Sequence, residues 1–180
     1  MQGLSMIHYY GMAYKTIAQA MIASALSWLA GALIVRKKLW TILNIPVVGA
    51  ALAVIVYCTV WGRSMSGEHR FVLANAYSND FYREMIMNVF LYYPLGLSLT
   101  AVLGPQAVLA AFCLSLGIET WQYAAGTGLA QGTDILCNTL GCALGAVPWL
   151  LDRGILRLYN RRMDRKKPQK NAIETKGREE

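Results

Sequence analysis

Five long apolar segments make up most of this 180-residue chain and limit the folds it can adopt. A helix needs about 20 mostly apolar residues to cross the hydrocarbon core of a bilayer. The segments lie at about 16–35, 39–61, 85–103, 106–125 and 134–151. They predict an all-α, polytopic helical membrane protein whose five transmembrane helices form a single domain, residues 1–151.

Charged residues are scarce and unevenly distributed. Only 15% of the residues are Asp, Glu, Lys or Arg, against about 25% in an average soluble domain. Ten of the 17 Lys and Arg residues lie between Arg153 and Arg178, and three more form the run at 36–38. Because both clusters flank apolar segments, they favour anchoring in a membrane, with lipids as partners, over binding of nucleic acid.

The two basic clusters also predict the orientation of the chain. Loops rich in Lys and Arg stay in the cytoplasm, and four predicted spans separate the run at 36–38 from the C-terminal tail. Both clusters then lie on the same side, whereas a model of four or six spans would place one of them outside. We expect the N-terminus outside, the C-terminus in the cytoplasm, and residues 152–180 as a basic, largely disordered cytoplasmic tail.

Polar residues lie within or next to the predicted spans, where a charged side chain costs about 2.5–3.5 kcal/mol to insert. In the five-span arrangement they gather near the outer face of the membrane. The candidate binding residues are Arg63, Arg70, Asn88, Glu119, Gln122, Asp134 and Asn138. Two interpretations stay open: the residues form one ligand site, or they are separate ion pairs and hydrogen bonds that hold helices together.

Glycine and proline predict where helices pack. Gly141 and Gly145 form a G-x-x-x-G pair, which allows a second helix to approach closely. In the third span, Pro94 is expected to kink the helix and Gly96 to lie at a packing position. The four cysteines and two histidines show no metal-ligand spacing, so we expect neither a metal site nor a cofactor.

Three blocks of the sequence carry a resemblance. They are T-V-W-G-R at 59–63, N-V-F-L-Y-Y-P-L-G at 88–96, and I-E-T-W-Q at 118–122 followed by D-I-L-C-N-T-L-G at 134–141. Over about residues 54–151 the chain resembles the VanZ-like family of bacterial membrane proteins. Members of that family often carry an arginine in the loop before the aspartate. This chain lacks it, so Arg63 or Arg70 would have to supply the positive charge.

The resemblance implies a multi-pass protein of the bacterial cell membrane, associated with resistance to the glycopeptide antibiotic teicoplanin. Two functions stay open. In the first, the protein binds an amphiphile at the outer leaflet, such as a lipid-linked cell-wall glycan or a lipoglycopeptide. In the second, it is an intramembrane enzyme that acts on a lipid-linked cell-wall intermediate, with Glu119 and Asp134 as candidate catalytic acid and base. The oligomeric state stays open as well.

Overall fold

The computed structural model describes the backbone at residues 2–61, 67, 69–74 and 80–176, and side chains at 15–61, 67, 69–74 and 80–156. Its elements are α1 (Gln2–Ile34), α2 (Lys37–Val56), β1 (Phe71–Val72), α3 (Phe81–Leu103), α4 (Gln106–Ala125), β2 (Ala130–Gln131) and α5 (Gly132–Lys176). The two short strands pair in parallel. Each predicted span coincides with one helix, and the helical fold class is confirmed.

Four helical stretches in the described part of the chain are long and apolar enough to cross a membrane. They are Lys15–Ile34, Lys37–Trp61, Phe81–Leu103 and Gly132–Leu156. The prediction of a multi-pass membrane protein is therefore confirmed. Helix α4 has 20 residues, but its polar residues, Glu119 and Gln122 among them, lower its mean hydropathy. A fifth crossing by α4 and the orientation of the chain stay predictions.

Glycines at positive φ end two of the helices. Helix α3 stops at Gly104, with φ 64°, and Pro105 leads directly into α4. Helix α4 stops at Gly126, with φ 63° and ψ 33°, a left-handed conformation that strains any residue with a Cβ. Only two residues connect α3 to α4, so the two helices form a tight hairpin.

Helix α2 continues into a π-helical turn, Tyr57–Trp61. Thr59 is buried in this turn, and its hydroxyl donates to the Ile55 carbonyl at 2.7 Å. From α4, the Gln122 side-chain amide donates to the Thr59 carbonyl at 3.0 Å. A π-helical turn widens the helix, and here the carbonyl of that turn anchors α4.

Two apolar clusters hold the helices together. The larger cluster consists of Ile55, Tyr92, Leu95, Ala111, Ile118 and Cys142, which come from α2, α3, α4 and α5. The smaller one attaches α1 through Trp28, which packs edge-on against Trp40 with ring centroids 5.6 Å apart. Gly31 lies directly under the Trp40 ring, so α1 and α2 approach closely there.

The chain divides into two compact units, Met1–Trp149 and Leu150–Glu180. The sequence predicted a largely disordered tail at 152–180, whereas α5 continues as a helix as far as Lys176. Arg, Lys, Leu and Met have high helix propensity, and no glycine or proline interrupts the chain between Ile155 and Lys167. Local propensity therefore explains the helix as far as Lys167, and Pro168 lies within the part that follows.

Candidate functional site

Helices α3 and α5 touch through three glycines, and this contact positions the polar residues around it. A Cβ on Gly141 would collide with the backbone of Val89, and one on Gly96 with the backbone of Cys142. Gly145 lies equally close to the Tyr93 carbonyl. The glycines predicted to pack helices therefore lie at a backbone-to-backbone contact. Pro94 lies on the exposed side of α3, and its carbonyl accepts the Ser98 hydroxyl at 2.9 Å.

A cavity of about 500 Å³ opens at the end of the bundle where α3 and α5 begin. We name it the end cavity. Its lining residues are Asp80, Arg83, Glu84, Met87, Asn88, Leu129, Gln131 and Asp134. Two of the predicted binding residues, Asn88 and Asp134, thus face one space. Helix α3 begins at Phe81, four residues before the predicted start at 85. Arg83 and Glu84 are therefore helical and form part of the cavity wall.

Glu119 contacts the backbone of Gln131, one of the residues that line this cavity. Its side chain is only 4% exposed, and its Oε2 accepts the backbone N–H of Gln131 at 2.8 Å. It lines a separate cavity of about 240 Å³ with Phe71, Leu116, Thr120 and Tyr123. The carboxylates of Glu119 and Asp134 therefore open into different spaces, and Gln131 lies between them, bonded to Glu119 and lining the end cavity.

Gln122 and Asn138 are buried and join helices. Gln122 is 1% exposed and binds the π-helical turn, as described above. Asn138 is 4% exposed, and its side-chain amide donates to the Ser115 hydroxyl on α4 at 2.9 Å. The sequence predicts both as ligand-binding residues. In the structure, each makes a hydrogen bond to a neighbouring element.

Of the two arginines predicted as binding residues, the structure describes one. Arg63 lies outside the described residues. Arg70 is exposed, and its carbonyl accepts the Ala130 N–H at 3.1 Å beside the β1–β2 pair. Two further bonds fix this segment across the α4–α5 connection: His69 Nδ1 contacts the Tyr123 carbonyl at 2.8 Å, and Thr133 N–H donates to the Leu73 carbonyl at 2.9 Å. Among the described residues, Arg70 does not line the end cavity.

Sequence reasoning missed Gln131 and Arg83 as lining residues, and Ser115 as a buried partner. Gln131 reaches its place through the parallel pairing of Val72 with Gln131, a contact between short segments with no apolar periodicity. Ser115 stands alone in an apolar run, but it precedes Glu119 by four residues and so shares a face of α4 with it. That spacing was the available signal.

The sequence also matches a known protein family. The VanZ/LLP1 family model matches residues 48–153, more than half of the chain. The chain belongs to the VanZ/LLP1 family. The matched region runs from α2 into α5 and contains every candidate site residue, so the end cavity and the α3–α5 contact both lie in the VanZ/LLP1 domain. Neither curated proteins nor solved structures gave a significant match.

Proposed function

We propose that this VanZ/LLP1 protein binds the polar part of an amphiphilic cell-envelope ligand in the end cavity, at the outer face of the membrane. The size of the cavity supports this proposal. It offers about 500 Å³, within the usual range for small-molecule sites of about 300–1,000 Å³. Asn88 and Asp134 converge on it from two helices that are locked together by glycine contacts.

The charges of the described lining indicate which polar groups fit. Three acidic residues, Asp80, Glu84 and Asp134, face one basic residue, Arg83. Arg83 lies 3.6 Å from the carboxylate of Asp80 and forms an exposed ion pair with it. A lining with excess negative charge favours amino groups and hydroxyl donors over phosphate. The sugar and amine groups of a lipoglycopeptide, or the glycan of a lipid-linked precursor, supply such groups.

Apolar surface beside the cavity suits the other end of an amphiphile. Met87 lines the cavity and is 55% exposed. In a membrane the exposed part of this side chain meets lipid. An acyl chain attached to a polar group in the cavity could remain in the bilayer next to α3, so binding would not require extraction of the lipid tail.

A susceptibility test distinguishes this function from a general envelope effect. We expect expression in a glycopeptide-susceptible bacterium to raise the inhibitory concentration of teicoplanin, which carries an acyl chain, and not that of vancomycin, which lacks one. Asp134→Leu removes from the cavity a carboxylate that accepts hydrogen bonds, and it should abolish the protection. Leu136→Ala, on an exposed face of the same helix, should retain it. Equal protection against both antibiotics, or full protection by Asp134→Leu, would contradict the proposal.

The enzymatic alternative has less support. A general acid and a general base must reach the same substrate, but Glu119 and Asp134 line separate cavities. Glu119 also accepts a backbone N–H, which is the role of a structural acceptor. Glu119→Gln keeps an oxygen for that bond and removes the acid. Protection should survive this change if the protein binds its ligand, and should be lost if the Glu119 carboxyl is catalytic.

A further inference from the structure

Three buried polar side chains converge inside the bundle, next to the end cavity. They are Tyr92 of α3, Ser115 of α4 and Asn138 of α5, and we name them the polar triad. Tyr92 and Ser115 are 0% exposed and Asn138 is 4% exposed. The Asn138 amide donates to the Ser115 hydroxyl at 2.9 Å, and the Tyr92 hydroxyl interacts with the same Ser115.

Two atoms of the polar triad receive no hydrogen bond of good geometry from the described residues. They are the Tyr92 hydroxyl and the Asn138 side-chain oxygen, Oδ1. The hydroxyl needs an acceptor, whereas Oδ1 needs a donor. A buried polar group without a partner destabilises the folded protein, and the interior of a membrane bundle offers no bulk water as a substitute partner. One molecule that both donates and accepts would satisfy both atoms.

We infer that the polar triad binds an internal water molecule, which accepts a hydrogen bond from the Tyr92 hydroxyl and donates one to Asn138 Oδ1. The Ser115 hydroxyl lies beside both groups and is the third partner. Buried waters in proteins make about three such bonds. The end cavity provides the source of water, because its lining residues Asn88 and Asp134 precede Tyr92 and Asn138 by four residues, one helical turn, on the same helix faces.

Thermal unfolding of the purified protein in detergent tests this site, and no ligand is needed. Tyr92→Phe removes the hydroxyl and leaves the ring. We expect it to lower the unfolding midpoint by about 2–4 °C, because the water loses one of its three partners and is held less tightly beside Asn138 Oδ1. Asn138→Leu should lower the midpoint too, and the two changes together should cost less than their sum. Tyr123→Phe, on the exposed surface of α4, is the matched control and should leave the midpoint unchanged.

A direct bond between Tyr92 and Ser115 is the competing arrangement, and a Ser115→Ala background separates the two. With a bridging water, Tyr92→Phe still lowers the midpoint in that background, and its coupling to Asn138→Leu persists. With a direct bond, both effects disappear, which would overturn the inference. A Tyr92→Phe variant that is as stable as the parent, or more stable, would overturn it as well. If Asn138→Leu does not fold, Tyr92→Phe in the Ser115→Ala background still distinguishes a bridging water from a direct bond.

Discussion

Replacing Gly141 with alanine is expected to destabilise the protein strongly for so small a change. The added Cβ would collide with the backbone of Val89 across the α3–α5 contact, and a backbone atom cannot move aside as a flexible side chain does. The helices would have to separate, with a loss of packing of about 1–3 kcal/mol. For a chain of this length each kcal/mol corresponds to about 2–4 °C in the unfolding midpoint, which thermal unfolding in detergent measures.

The control for this substitution lies on α4. Gly117 is also within a helix, but nothing comes within 4 Å of a Cβ built there. Gly117→Ala should leave the midpoint unchanged or raise it, because alanine stabilises a helix by about 0.5–1 kcal/mol relative to glycine. Equal losses at the two positions, or no loss at Gly141, would show that the α3–α5 contact is looser than the structure describes.

Single cysteines at Leu129 and Lys37 are expected to label from opposite sides of the membrane. Leu129 lies in the connection between α4 and α5 and lines the end cavity. Lys37 is exposed at the start of α2, beside Arg36 and Lys38. Because basic loops stay in the cytoplasm, a membrane-impermeant maleimide should reach Leu129→Cys in intact cells. It should reach Lys37→Cys only after the membrane is permeabilised.

The labelling also tests whether α4 crosses the membrane. Helices α2, α3 and α4 separate the two positions, so labelling from the same side would mean that α4, with Glu119 and Gln122, does not cross. Reversed labelling would place the end cavity in the cytoplasm and contradict binding at the outer leaflet. The control is a chain in which the native cysteines are replaced by alanine, and it should not label. The native cysteines are Cys58, Cys113, Cys137 and Cys142.

The sequence predicts the helices of this protein well because each is marked by local features. The apolar segments have the length of a membrane span, and Gly104, Pro105 and Gly126 mark the ends of α3 and α4. The glycines at the α3–α5 contact follow from spacing alone, since two small residues four apart share one helix face. Such signals need no knowledge of the partner helix.

The arrangement of polar residues is harder to predict because it depends on contacts between distant segments. Depth in the membrane suggested that Asn88, Glu119 and Asp134 share one site. The structure places Asn88 and Asp134 on the end cavity and turns Glu119 toward the backbone of Gln131. Which side of α4 faces inward at Glu119 depends on the α4–α5 connection, whose short strand pairs with β1. Neither strand is long enough to be recognised in the sequence.

Photo-crosslinking can show whether the end cavity holds the polar part of an amphiphile. A photoreactive amino acid at Met87, which lines the cavity, should capture teicoplanin when membranes containing the protein are illuminated, and excess unmodified teicoplanin should prevent the capture. The control position is Leu136, which is 65% exposed and lies two residues after Asp134, on the other side of α5. We expect capture at Met87 and none at Leu136. Equal capture at both positions, or capture at neither, would contradict it.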